Sequence, residues 1–190
     1  MYVINIPNEE IRHKYICVID ALYETMHTWI VEHGWEPLYG AGQEGDIETM
    51  FYLNEENHPL YNYNIWWRLK KDINSQVRYI MNIDMIGIAI KKVEVVWKGK
   101  KYSAHNGEFT FHINGRVEID YKNKWEKSRV MKTFMGYITR RLMKNDYENY
   151  KEDLRKEIER FKAFMKTFFG LYQNIVAPEN LDPLLGYGFK

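Results

Sequence analysis

Residues 61–71 read YNYNIWWRLKK. Tyr61, Tyr63, Ile65, Trp67 and Leu69 recur at every second position, with Asn62, Asn64, Trp66, Arg68 and Lys70 between them. That is the period of a strand with one buried face, and tyrosine, tryptophan and isoleucine suit a pleated, half-buried surface. Residues 77–90, VRYIMNIDMIGIAI, are apolar on both faces for most of their length, interrupted by Asn82 and Asp84, and read as an interior strand. Between the two runs, residues 71–75 form a connecting turn.

Towards the N-terminus, residues 47–53 begin the sheet and residues 54–60, with Asn57, His58 and Pro59, form a turn. Residues 36–46, EPLYGAGQEGD, read as a loop. Its glycines do not make a dinucleotide fingerprint, because no strand precedes them, no helix follows, and Glu44 and Asp46 would repel phosphate. Tyr2, Ile4 and Ile6 alternate as a short strand that Pro7 stops. From Asn8 the spacing predicts a helix, with Asn8 as N-cap, Glu9 and Glu10 in the first turn, and Gly34 after its end. Ile11, Tyr15, Val18, Ile19, Leu22, Met26, Trp29 and Ile30 form its apolar stripe.

Towards the C-terminus, residues 92–98 give a further strand, a turn at 98–100 leads to Tyr102 and Ala104, and residues 105–107 turn again. Phe109, Phe111, Ile113, Val117, Ile119 and Tyr121 keep one parity across Asn114-Gly115. A single bent strand, with Gly115 at a crowded inward position, preserves that face better than a hairpin would. Residues 126–169 are helical, as two helices or one kinked near Asn145-Asp146, and Gly170 ends them. The second part buries Tyr147, Tyr150, Leu154, Ile158, Phe161, Met165 and Phe168. The chain is thus expected to form one α+β domain over residues 1–170, an antiparallel meander sheet with an N-terminal helix and long C-terminal helices packed on it, followed by an extended tail, 171–190. The element order resembles that of helix-grip domains, in which a curved sheet wraps a long C-terminal helix around a cavity.

A chain of 190 residues suits one domain with a sizeable core. Its 45% hydrophobic content and mean hydropathy of -0.55 describe a folded, soluble protein. Its single cysteine, Cys17, excludes an internal disulfide framework and fits a reducing compartment. No run approaches the ~20 apolar residues of a membrane span, and the first residues lack a signal-peptide pattern. A cytoplasmic protein is therefore expected. Aromatic residues make up 16% of the chain, a surplus that often serves interfaces. Charge is segregated. Residues 1–60 hold eleven acids and two bases, and residues 122–144 hold eight bases and one acid. The two ends either face one another or meet partners of opposite charge.

Four segments, DIETMFYL (46–53), NIWWRLKK (64–71), KKVEVVWKGKKY (91–102) and RVEIDYKNKWEKS (116–128), resemble a group of short uncharacterised archaeal proteins. The likeness spans roughly residues 46–170. It implies an archaeal source and a shared fold, and it carries over no site residues.

Three functions follow from the residues. The first is a non-catalytic domain for self-association or binding another protein, supported by the aromatic surplus and the segregated charge. The second is nucleic-acid binding, RNA above all, by Lys122, Lys124, Lys127, Arg129, Lys132, Arg140 and Lys144, with Trp125 placed to stack on a base. A sequence pI of 7.8 weighs against it, because nucleic-acid-binding domains usually lie above ~9. The third is a small-ligand protein or enzyme with a cavity between sheet and helices, where Asp84 and His112 would be the polar groups. Catalytic, cofactor and metal residues are not assigned. Glu24 and His27 have the Glu-x-x-His spacing of a di-iron bundle, but only once where such a site needs it twice. Cys17 reads as a buried, inert thiol on the first helix.

Overall fold

The computed structural model describes residues 1–39, 47–57, 60–97, 100–123 and 144–176. Among these residues, seven strands form one sheet and two helices cover one of its faces. In chain order these are β1 (Tyr2–Asn5), β2 (Glu9–His13), α1 (Ile19–Glu32), β3 (Glu36–Pro37), β4 (Glu48–Asn57), β5 (Leu60–Asp72), β6 (Val77–Trp97), β7 (Lys100–Ile119) and α2 (Lys144–Val176). All pairings are antiparallel. β5, β6 and β7 form the interior, β1 and β2 both pair with β7, and β3 and β4 both pair with β5.

The alternation in 61–71 decides the inward face as expected. Tyr63, Ile65, Trp67 and Leu69 are buried, and Trp66 between them is exposed. Direct cross-strand partners share a face. Ile65 therefore sits beside Met85, Met85 beside Phe111, and Phe111 beside Ile11. α1 lays Leu22, Met26, Trp29 and Ile30 on this layer, and α2 adds Leu154, Ile158, Phe161 and Met165. The two helices meet where Trp29 and Phe161 lie 4.9 Å apart.

Several boundaries differ from the sequence expectation, each for a physical reason. Residues 9–13 form a strand instead of opening a helix. Ile11 and His13 alternate inward, and pairing with residues 109–113 of β7 outweighs the capping signal at Asn8. α1 starts at Ile19 after Val18, which makes no side-chain cap. Gly34, at φ +71°, follows its end in the left-handed conformation that glycine accommodates. Residues 54–57 extend β4 rather than turning.

β6 does not break near Ile90. It runs for 21 residues with a register shift between Ile88 and Lys91, where Ala89 takes φ 53° and donates its N–H to Asn62 Oδ1 at 2.9 Å. β7 likewise passes straight through 105–107 and, as expected, through Asn114-Gly115. At Gly115 a Cβ would stand 2.5 Å from Ile158 Cδ1 of α2, which explains the crowded inward glycine. α2 continues past Gly170 to Val176, six residues into the stretch expected to be extended. The β5–β6 turn is fixed by Asn74, whose Oδ1 accepts the N–H groups of Gln76 (2.9 Å) and Val77 (2.8 Å).

Candidate interaction surface

The meander opens with β4, and this position gives the strand its chemistry. β4 pairs with β5 along one side, and among the described residues no strand pairs with its other side. Its central side chains divide between the two sheet faces. Phe51 and Leu53 lie opposite Ile65 and Tyr63 on the helix-bearing face, while Met50 and Tyr52 lie opposite Trp66 and Asn64 on the other. Phe51, Tyr52 and Leu53 are 51%, 53% and 46% exposed, and Trp66 is exposed beside them. Three successive large apolar residues, half in water, thus flank an edge with no strand beside it among the described residues. This arrangement invites a further strand.

β4 is held firmly at its start. The Tyr23 hydroxyl of α1 donates to the Glu48 carboxylate, and the Tyr23 ring meets Trp67 edge-on at 4.8 Å. Burial, with the Glu48 carboxylate adding to it, pushes the Tyr23 hydroxyl well above the usual phenol range, so it stays a donor at neutral pH. Register shifts at Glu48/Met50 and Glu55/Asn57 bracket the exposed stretch.

Asp84 and His112, expected to line a cavity between sheet and helices, are direct cross-strand partners that face away from α1 and α2. Asp84 accepts from Arg68 Nη1 at 2.5 Å, Arg68 lies 5.4 Å from the centre of the Trp66 ring, and Glu10 stands opposite His112. Together they form a cross-strand polar row on the sheet's outward face. The space between α1 and the inward face is filled: Leu22, Tyr23, Met26, Ile65, Trp67, Ile83 and their neighbours leave a void of ≈ 10 Å³. That is about one water's worth, against hundreds of Å³ for a ligand pocket.

Of the basic stripe, Lys122 is exposed with its Nζ 5.1 Å from the centre of the Tyr121 ring, and Lys144 is the first residue of α2. Lys124, Trp125, Lys127, Arg129, Lys132 and Arg140 lie outside the described residues. Glu24 and His27 join no group of three metal-ligating side chains among the described residues.

Cys17 lies before α1 rather than on it. It exchanges two backbone hydrogen bonds with His105, each 2.8 Å, so the fold brings together a cysteine and a histidine far apart in sequence. Burial pushes the Cys17 thiol up to about 12 and holds the His105 imidazole below its usual value. A thiol so protonated is no nucleophile at neutral pH.

No protein-family profile, curated protein or solved structure matches the chain.

Proposed function

We propose that the chain is an association domain that binds a protein strand along β4. The observation that carries this reading is the open edge of β4 with Phe51, Tyr52 and Leu53 about half exposed in succession. An added strand would pair with the backbone of that edge, while the apolar side chains above and below give it grip. The outward Trp66 and Tyr52 widen the contact with aromatic area, which interfaces favour. The helix-grip likeness belongs to the same reading, with α2 lying along the inward face of the sheet and packing its buried side chains there.

The test is the mass of the particle in solution, measured by light scattering across a wide concentration range. The wild-type protein should assemble with itself or retain an extended apolar peptide. Phe51→Lys combined with Tyr52→Lys should abolish both while leaving the circular dichroism unchanged, since charges on an edge strand block pairing. A wild-type chain that stays monomeric and retains no such peptide overturns the proposal.

A further inference from the structure

β6 and β7 outrun the rest of the sheet. β5 begins at Leu60, opposite Lys91, and the last contact on the far side of β7 among the described residues is the Cys17–His105 bridge. Beyond them, among the described residues, five rungs from Val93–Ala104 to Trp97–Lys100 pair only with each other. This two-stranded ribbon extends the sheet by about 17 Å at ~3.4 Å per residue. Residues 91–101 contain five lysines and one acid, Glu94. Lys91, Lys92 and Lys101 are exposed. Lys92 and Lys101 lie on one face of the ribbon, since Lys92 pairs with His105 and Lys101 with Val96. Lys92 Nζ is 5.2 Å from the centre of the Tyr61 ring, which holds it at the ribbon's base. Lys101 meets Glu94 at 3.4 Å, but with side chains 75% and 74% exposed that pair is weak and leaves the ammonium available.

The base of the ribbon has a built bend. The register shift at Ile88–Lys91 lies opposite Asn106–Glu108, and at Gly107 a Cβ would stand 2.6 Å from Ile90 Cδ1 and 3.0 Å from Ile90 Cα. Bulges of this kind redirect a strand.

We propose that this ribbon is a DNA-binding arm that places Lys92 and Lys101, on one of its faces, against the phosphates of a duplex. A two-stranded ribbon fits the B-form major groove, which is about 12 Å wide and 8.5 Å deep, whereas the narrow major groove of A-form RNA excludes it. The four residues of ribbon separating Lys92 from Lys101 correspond to roughly 14 Å, over which a duplex carries about eight charges. The site is independent of the β4 edge.

The test is fluorescence anisotropy with a labelled DNA duplex at low and at moderate salt. The wild-type chain should bind at low salt and weaken steeply as salt rises. Lys92→Glu combined with Lys101→Glu should weaken binding at least tenfold and reduce the salt slope by about two, near 0.9 per lost phosphate contact. Lys156→Glu, on α2 near the β5–β6 turn at the other end of β6, should change neither. Circular dichroism of each variant checks the fold. The assignment is overturned by no binding at low salt, by equal binding of the double variant, or by tighter binding to duplex RNA or to anionic lipid vesicles.

Discussion

Gly107 shows how much one hydrogen atom in place of a side chain can matter. Its Cβ position is closed by the Ile90 side chain and by backbone, Ile90 Cα at 3.0 Å and the Ala89 carbonyl oxygen at 3.1 Å. Gly107→Ala is therefore expected to destabilise the fold by about 1–3 kcal/mol, as overpacking does, measurable as a lowered urea midpoint at unchanged slope. His13 carries the second prediction. It is buried, stacked on Phe169 at 4.2 Å, and its Nε2 has no partner among the described residues. Burial lowers its affinity for a proton, with a hydrogen bond to the Ile16 backbone acting in the opposite direction, and burial lowers that of His105 likewise. The unfolded chain then binds more protons than the native one as pH falls below about 6.5. The stability these neutral imidazoles contribute is present above that pH and is lost as pH drops towards their lowered native values. His13→Phe should flatten the slope of stability against pH between neutrality and mild acid, and a denaturation series over that range checks it.

At the scale of elements, α2 is fixed mainly by one row of side chains. Leu154, Ile158, Phe161 and Met165 are essentially inaccessible to water, and Phe161 also touches Trp29 of α1. Phe161→Ala should cost about 3–5 kcal/mol, seen by thermal and urea unfolding, because it opens a hole where sheet, α1 and α2 meet. This row was legible in the sequence, since its spacing and residue types leave little choice of face. So was the inward row of β5, where five apolar positions alternate without a slip. The start of α1 was not legible. Asn8, Glu9 and Glu10 carry good local helix-start chemistry, yet residues 9–13 find hydrogen-bond partners on β7, about a hundred positions away in the chain. Local preference is worth about a kilocalorie per cap, and a full ladder with two buried side chains outweighs it. Asn106-Gly107 misled in the same way. A turn signal becomes a bulge when the facing strand has an extra residue to match, and that match exists only in three dimensions. The Cys17–His105 pairing and the bare edge of β4 depend on strand order, which no single stretch of residues encodes.

Considered whole, the molecule is a long central hairpin, β6 with β7, dressed by shorter strands and by helices on one face. Protection from hydrogen exchange should follow that plan. Amides of Met81, Ile83, Phe111 and Ile113 in the middle of the hairpin should exchange slowest, and those of β4, which among the described residues pairs with β5 alone, should be among the fastest in the sheet. Raising the protein concentration should slow β4 selectively if its edge is occupied by association, which exchange coupled to mass spectrometry reads directly. The pairing of β1 and β2 with β7 has a consequence for how the protein is made. Tyr2 lies in register with Ile119, so β1 is synthesised more than a hundred residues before the strand it pairs with. At 5–20 residues per second that interval is roughly 6 to 23 s, during which β1 waits for its partner. Slowing translation would lengthen that wait.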